Sequence, residues 1–235
     1  VEVNSETDFV AKNEIFQEYV TDAAIVALRS NGDVCEMKKF NCPKCGKTFE
    51  ERLTDMIAKI GENMNLRRAK MIEVNDGVVA SYIHNAAGTN IGKIGVLVAL
   101  ESKADKAKLA ELGKHIAMHV AASNPLFLNV AAVDPAAVEH EKAIYSEQAK
   151  ASGKPENIIE KMVEGRVRKY YDEVVLEEQA YIMDPDKKVK QVVADTAKEL
   201  GADIKIADFA CFKLGEGLQK KEEDFAAEVA SQLNK

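Results

Sequence analysis

No apolar run in this 235-residue chain approaches the ~20 residues that a membrane-spanning helix needs. The longest, Ile94–Leu100, has the length of a buried strand. Positive charge is also in short supply: 32 Lys and Arg face 39 Asp and Glu, for a net charge of −7. A broad electrostatic grip on nucleic acid is therefore not expected, although a local basic patch stays open. Cysteine is scarce. Three of the four cluster at Cys35, Cys42 and Cys45, and Cys211 stands far away, which argues against a disulfide scaffold and for a reducing cytoplasm. There is no phosphate-cradling glycine loop, no nucleophile motif and no complete metal constellation, so neither catalysis nor a bound nucleotide is expected. No repeat of solenoid length appears. No secretory signal is visible either. The chain opens at Val1, without Met, inside a strand-like pattern, as a fragment of a longer protein would.

What is present is an ordinary globular composition, 46% apolar and 30% charged, with enough length for one large domain or two small ones. Val1–Asn4 reads as a strand. From Thr7 the apolar spacing turns helical through Phe9, Val10, Phe16, Tyr19, Val20, Ala23 and Ala27, and Asn31-Gly32 stops it. Residues 32–49 are polar and show no periodicity. A second helix carries Leu53, Met56, Ile57 and Ile60 and ends at Gly61. Met71–Val74, the turn Asn75-Asp76-Gly77 and Val78–His84 give a hairpin signal, followed by a loop over Asn85–Gly92 and the strand Ile94–Leu100. Lys103–Ser123 is helical and breaks at Asn124-Pro125. Pro135 opens another helix that runs to Ser152, and Gly153-Lys154-Pro155 restarts the chain into a further amphipathic one. These two should lie antiparallel as a projecting hairpin over 135–174, a short coiled coil. A strand at Tyr181–Met183, a helix over 186–200, a strand at Ile204–Leu214 and a charged helix Lys220–Leu233 complete the expectation.

Three segments could carry chemistry. Thr7-Asp8-Phe9-Val10 reads either as a helix start, with Thr7 as cap and Phe9 packed inward, or as an exposed tip presenting an aromatic wedge; periodicity does not choose. His115 and His119 stand four apart on a helix, but without an adjacent Glu they favour packing or partner contact over metal binding. Cys42-Pro43-Lys44-Cys45-Gly46 has the form of half a zinc knuckle, with Cys35 as a third candidate ligand; the competing reading is a polar loop of thiols.

Glu2–Asn13, with its Thr7-Asp8-Phe9-Val10 segment, closely resembles the signature of elongation factor Ts. Ile60–Arg68, Lys114–Ala122, Ser152–Pro155 with Lys161–Arg166, and Asp224–Val229 resemble further stretches of that family, in family order and across nearly the whole chain. The resemblance implies an α+β fold of small antiparallel sheets packed with helices: a core subdomain over 1–76 with a Cys-bearing loop at 33–49, a second over 77–212 with the 135–174 hairpin inserted, and a helical module over 213–235. It implies a translation factor, not an enzyme, that releases GDP from elongation factor Tu by inserting Asp8 and Phe9 near the magnesium and nucleotide site. His84 would contact another domain of that partner, and Phe225 and Val229 its GTPase domain. The family's N-terminal ubiquitin-associated-like domain is expected to be missing. A homodimer through the hairpin and a further partner contact both remain open; no nucleic acid, membrane or required cofactor is expected. The Cys cluster departs from the family pattern, and the alternative reading is a zinc-containing nucleic-acid-binding or scaffold module built on it.

Overall fold

The computed structural model describes residues 1–42, 45–150 and 155–218. The chain enters as strand β1 (Glu2–Ser5) and makes a single 3-10 turn at Val10–Lys12 before helix α1 (Glu14–Arg29). The Asn13 side chain accepts hydrogen bonds from the Ile15 and Phe16 N–H groups and so fixes where α1 begins. Its buried residues Phe16, Tyr19, Ala23, Val26 and Ala27 recur at helical spacing. Asp33 then caps a short helix, α2 (Val34–Lys39), in the stretch that showed no periodicity; six residues are too few to display one. A reciprocal Thr48–Glu51 capping box starts α3 (Phe49–Ile60), and Gly61, at φ +83°, ends it. Strand β2 (Met64–Arg68) returns antiparallel to β1, with Val3 opposite Leu66. Val3, Val10, Phe16, Tyr19, Met37, Phe49 and Leu66 share one core.

The expected hairpin at residues 71–84 is replaced by a different one. Residues 69–76 are not in a strand, and β3 (Gly77–Gly88) pairs with β4 (Ile91–Glu101). Most of the expected loop over Asn85–Gly92 is therefore strand, turning at Thr89-Asn90 with Asn90 at φ +57°. The Asn75-Asp76-Gly77 signal marks a real change of direction. Its Asp76 carbonyl, however, accepts from Ser102 N–H at 3.0 Å, beyond the end of β4. Helix α4 (Lys106–Ser123) follows, capped by Asp105 and closed by Asn124 at φ +49°.

Helices α5 (Pro135–Lys150) and α6 (Glu156–Val174) come next. Val138, near the start of α5, packs with Val167, Tyr170 and Tyr171 toward the end of α6, so the two run antiparallel. Strands β5 (Ala180–Tyr181) and β6 (Asp184–Lys188) form a small hairpin turning at Ile182-Met183, which delays helix α7 (Val189–Leu200) past the expected start at 186. The last described strand, β7 (Lys205–Lys213), pairs with β4 and completes an antiparallel sheet of order β3-β4-β7. Val96, Val98 and Leu100 on β4 meet Leu109, Ile116 and Val120 of α4 and Val189 and Val193 of α7 in a second core. Small antiparallel sheets covered by helices make this an α+β fold. The expected helix Lys220–Leu233 lies outside the described residues, as do 43–44 and 151–154. Among the described residues no helix is long and apolar enough to cross a membrane.

His119 is fully buried in this second core. Its Nδ1 accepts from the Ile182 N–H at 3.3 Å, so Nε2 carries the proton and donates to Gln179 Oε1 at 2.9 Å. Burial pushes the imidazole below its ordinary value of 6.5, and the Gln179 hydrogen bond opposes that only in part. The His115–His119 spacing thus delivers a neutral packing histidine into the core.

Two predictions follow from this packing. A Cβ on Gly113 of α4 would sit 2.6 Å from the Ala80 Cβ of β3. Gly113→Ala should lower unfolding free energy by about 1–2 kcal/mol, overpacking outweighing the gain in helix propensity; a urea midpoint equal to or above that of the parent would contradict this. Because the folded-state pKa of His119 is depressed, its contribution is complete above about pH 6.5 and is lost as pH falls through the folded value. The urea midpoint of the parent should therefore drop more steeply than that of His119→Gln between about pH 7 and pH 5. Parallel pH profiles would rule this out.

Candidate functional site

Phe9 is 85% exposed, more than any other large apolar side chain among the described residues. Its neighbour Val10 is 3% exposed and fills the first core. The 3-10 turn that begins after Phe9 sends the two side chains in opposite directions, and α1 starts only at Glu14. Thr7 is therefore not the cap of that helix, and Phe9 does not pack inward: of the two readings of this segment, the geometry matches the exposed tip.

Three contacts hold the tip from three parts of the chain. The Glu62 carboxylate accepts from the Thr7 N–H at 2.9 Å and the Thr7 hydroxyl at 2.6 Å. Glu62 directly follows Gly61, the left-handed cap of α3, so the helix end aims that carboxylate. Asp8 accepts from Lys93 Nζ at 2.8 Å, and this hydrogen bond together with the Lys93 charge holds the Asp8 carboxyl below its ordinary value. Gln17 of α1 donates from Nε2 to the carbonyls of Ala11 at 2.8 Å and Ala87 at 3.1 Å, joining the tip segment to the end of β3. Gly88 makes room for this: a Cβ there would lie 2.7 Å from Gln17 Oε1. The β3–β4 hairpin is thus joined to the tip segment through Gln17 and Lys93.

His84 lies on β3, exposed, with Nδ1 3.1 Å from the Tyr82 hydroxyl. That partner is on its own strand, not on residues 7–10. Phe225 and Val229 fall outside the described residues. Cys35 is exposed in the first turn of α2, Cys42 is buried and Cys45 is exposed. Among the described residues no three His, Cys, Asp or Glu side chains are grouped to hold a metal. The Arg52 guanidinium lies 3.4 Å from the Cys42 sulfur.

Glu62, Lys93 and Gln17 are the site residues that sequence reasoning missed. Glu62 reads there as part of a helix stop, and Lys93 falls between the expected loop and the expected strand without a role. Their partners are 55 and 85 residues away, beyond the reach of local spacing.

A family model described as Elongation factor TS matches residues 6–216. Elongation factor Ts of Sinorhizobium medicae is 54% identical over 231 residues, covering 98% of this chain and 75% of the relative. That of Paramagnetospirillum magneticum is 55% identical over 232 residues, 99% of this chain and 74% of the relative. The Rhodospirillum rubrum protein is 54% identical over 236 residues, 100% of this chain and 76% of the relative.

The Glu62 clamp can be tested without any partner. Glu62→Ala removes acceptors worth about 0.5–1.5 kcal/mol each. The Thr7 amide should then exchange with solvent several-fold faster by hydrogen-exchange NMR, with amides of α4 unchanged. Unaltered exchange at Thr7 would show that the carboxylate does not hold the tip.

Proposed function

The chain belongs to the elongation factor Ts family, and from that premise we propose that this translation factor promotes GDP release from elongation factor Tu, with Asp8 and Phe9 as the inserted element. The exposure of Phe9 carries the reading. A folded chain gains nothing by leaving a phenyl ring in water. Burying it against a partner would contribute roughly 1.5–3 kcal/mol, and the clamps on Thr7, Asp8 and Ala11 mean that little ordering has to be done on docking.

GDP is held in such a GTPase largely through its phosphates and Mg²⁺. An exchange factor makes and breaks no bond in the nucleotide. It binds the nucleotide-free state better, and by reciprocity it weakens GDP binding by the same factor that GDP weakens its own. In this reading the Phe9 ring wedges between helices of the GTPase domain and disturbs the magnesium and phosphate-binding loop. Asp8 and Lys93 are both exposed, and a solvent-screened ion pair is easily exchanged for another partner. Asp8 is thus free to trade Lys93 for a group on the GTPase. His84, on the same hairpin, is proposed to meet a second domain of elongation factor Tu, and Phe225 and Val229 its GTPase domain. The α5–α6 hairpin exposes Ile144 and Ile158 and is a surface for a second copy or a further partner.

The experiment is release of a fluorescent GDP from elongation factor Tu in stopped flow. Phe9→Ala should slow factor-stimulated release by roughly 10- to 100-fold, the kinetic equivalent of losing the ring's burial. Asp8→Ala should slow it less. Stimulated rates that match the parent in both variants would sink the assignment.

A further inference from the structure

One side chain joins the tip segment to the hairpin that carries His84, through two carbonyls that the regular elements leave over. Ala11 lies where the chain changes helix type. The 3-10 turn closes with bonds from Lys12 N–H to the Phe9 carbonyl at 3.2 Å and from Asn13 N–H to the Val10 carbonyl at 2.9 Å. The Ile15 N–H, which a continuous α-helix would send back to Ala11, goes to the Asn13 side chain at 2.9 Å instead. Ala87 lies at a bulge of β3. Ala86 stands opposite Gly92 and Gly88 opposite Ile91, which leaves Ala87 out of the β3–β4 register. The Gln17 amide nitrogen carries two N–H donors. It reaches the Ala11 carbonyl at 2.8 Å and the Ala87 carbonyl at 3.1 Å. Gln17 itself is half-buried on α1, next to Phe16, which is buried in the first core. Its bonds join neutral groups, so salt does not screen them as it screens the exposed Lys93–Asp8 pair, the other tie between hairpin and tip.

We propose that Gln17 is a positioning residue for exchange, a role that rests on the exchange reading of Asp8 and Phe9. Its amide fixes the Phe9 tip relative to the His84-bearing hairpin, so that both reach the GTPase in one docking geometry. Gln17 acts through Phe9 and not by touching the nucleotide site. Without the amide the ring is still exposed and the rest of the docking surface is intact, so the factor still binds. The ring then reaches its inserted position in fewer of the bound complexes, because a small misplacement is enough to lose a productive geometry. The loss therefore falls on the maximal release rate more than on the concentration of factor needed for half of it. Gly88 gives a second handle on the same tie. A Cβ there would lie 2.7 Å from Gln17 Oε1 and 3.0 Å from Nε2, the far end of a flexible side chain. Gly88 is not among the residues at positive φ, so alanine fits its backbone and pushes the amide off Ala87.

The test has a partner-free arm and a kinetic arm. By NMR the Gln17 side-chain NH₂ protons of the full chain should exchange with solvent several-fold more slowly than those of the exposed Gln148. Equal exchange overturns the tie. In stopped flow, release of a fluorescent GDP from elongation factor Tu is followed over a range of factor concentrations, with circular dichroism confirming that each variant is folded. Gln17→Leu, which keeps the bulk and removes both donors, and Gly88→Ala should each lower the maximal rate by roughly 3- to 10-fold, the rate equivalent of one hydrogen bond, and move the half-saturating concentration by less than about twofold. In a Phe9→Ala background, Gln17→Leu should add nothing, because the ring it positions is gone. A general loosening of the fold would slow that background further, and this result overturns the positioning role. Folded Gln17→Leu and Gly88→Ala proteins at the parental maximal rate, with Phe9→Ala slow, also overturn it and leave the exchange reading standing. Phe9→Ala at the parental rate removes the exchange reading and the role of Gln17 with it.

Discussion

The Glu2 carboxylate is the point on which the two cores depend for their relative placement. It is almost fully buried, and it gathers Arg67 at 3.0 Å, Arg68 in a short contact, Asn4 Nδ2 at 3.0 Å and the Gly215 N–H at 3.0 Å. Burial pushes the carboxyl up, but the hydrogen bonds from Gly215, Asn4, Arg68 and Arg67 outweigh it and hold it below its ordinary value. The two arginines belong to β2, in the first sheet. From there Arg67 donates to the Glu216 carbonyl at 2.6 Å and Arg68 to the Lys213 carbonyl at 3.2 Å, and Arg68 lies over the Phe212 ring at 4.3 Å. The carboxylate thereby bridges two cations that would otherwise face each other, with Glu216 at 3.2 Å from Arg68 supplying the second negative charge, and ties the β1–β2 sheet to the end of β7. Removing one partner of so enclosed a group leaves the others unpaired, which is why such junctions resist substitution.

The tip inherits its position from this junction. Leu214 N–H donates to the Lys93 carbonyl at 2.8 Å, and the Lys93 side chain in turn holds Asp8. A continuous path of short contacts runs from Glu2 through the end of β7 and the start of β4 to the residue before Phe9. Glu62 secures the other side of the tip from α3, and Gln17 secures it from α1. Phe9 is thus presented on a frame built from both cores. In the proposed exchange reading, a ring held this way would meet its partner with its geometry already set, leaving the free energy of its burial for displacing what the partner holds.

Much of the architecture is legible in the sequence because it rests on local signals. The amphipathic spacing of Phe16, Tyr19, Ala23 and Ala27, the Gly61 stop, the Pro135 start and the apolar run of β4 each declare their element without knowledge of the fold. The errors have physical causes. Asn75-Asp76-Gly77 looks like a hairpin turn, but residues 69–76 stay out of any strand and β3 pairs its backbone with β4 instead. Helix α2 is too short for a period, and its only readable signal is Asp33. At the candidate site, motif resemblance points to Asp8 and Phe9, but no local pattern reveals that Phe9 faces water. That outcome depends on Asn13 taking over as cap and Val10 turning inward. The clamps at Glu62, Lys93 and Gln17 are products of tertiary folding, legible only once the two cores are placed.

The central claim is that the Phe9 tip acts on a frame fixed by Glu2, so that loosening the junction weakens exchange even with the tip residues intact. The most direct measurement is the GDP-release rate from elongation factor Tu at saturating Glu2→Gln, with near-ultraviolet circular dichroism confirming that both cores remain packed. A maximal rate several-fold below that of the parent is the predicted result; a folded Glu2→Gln protein that drives release at the parental rate would contradict the account.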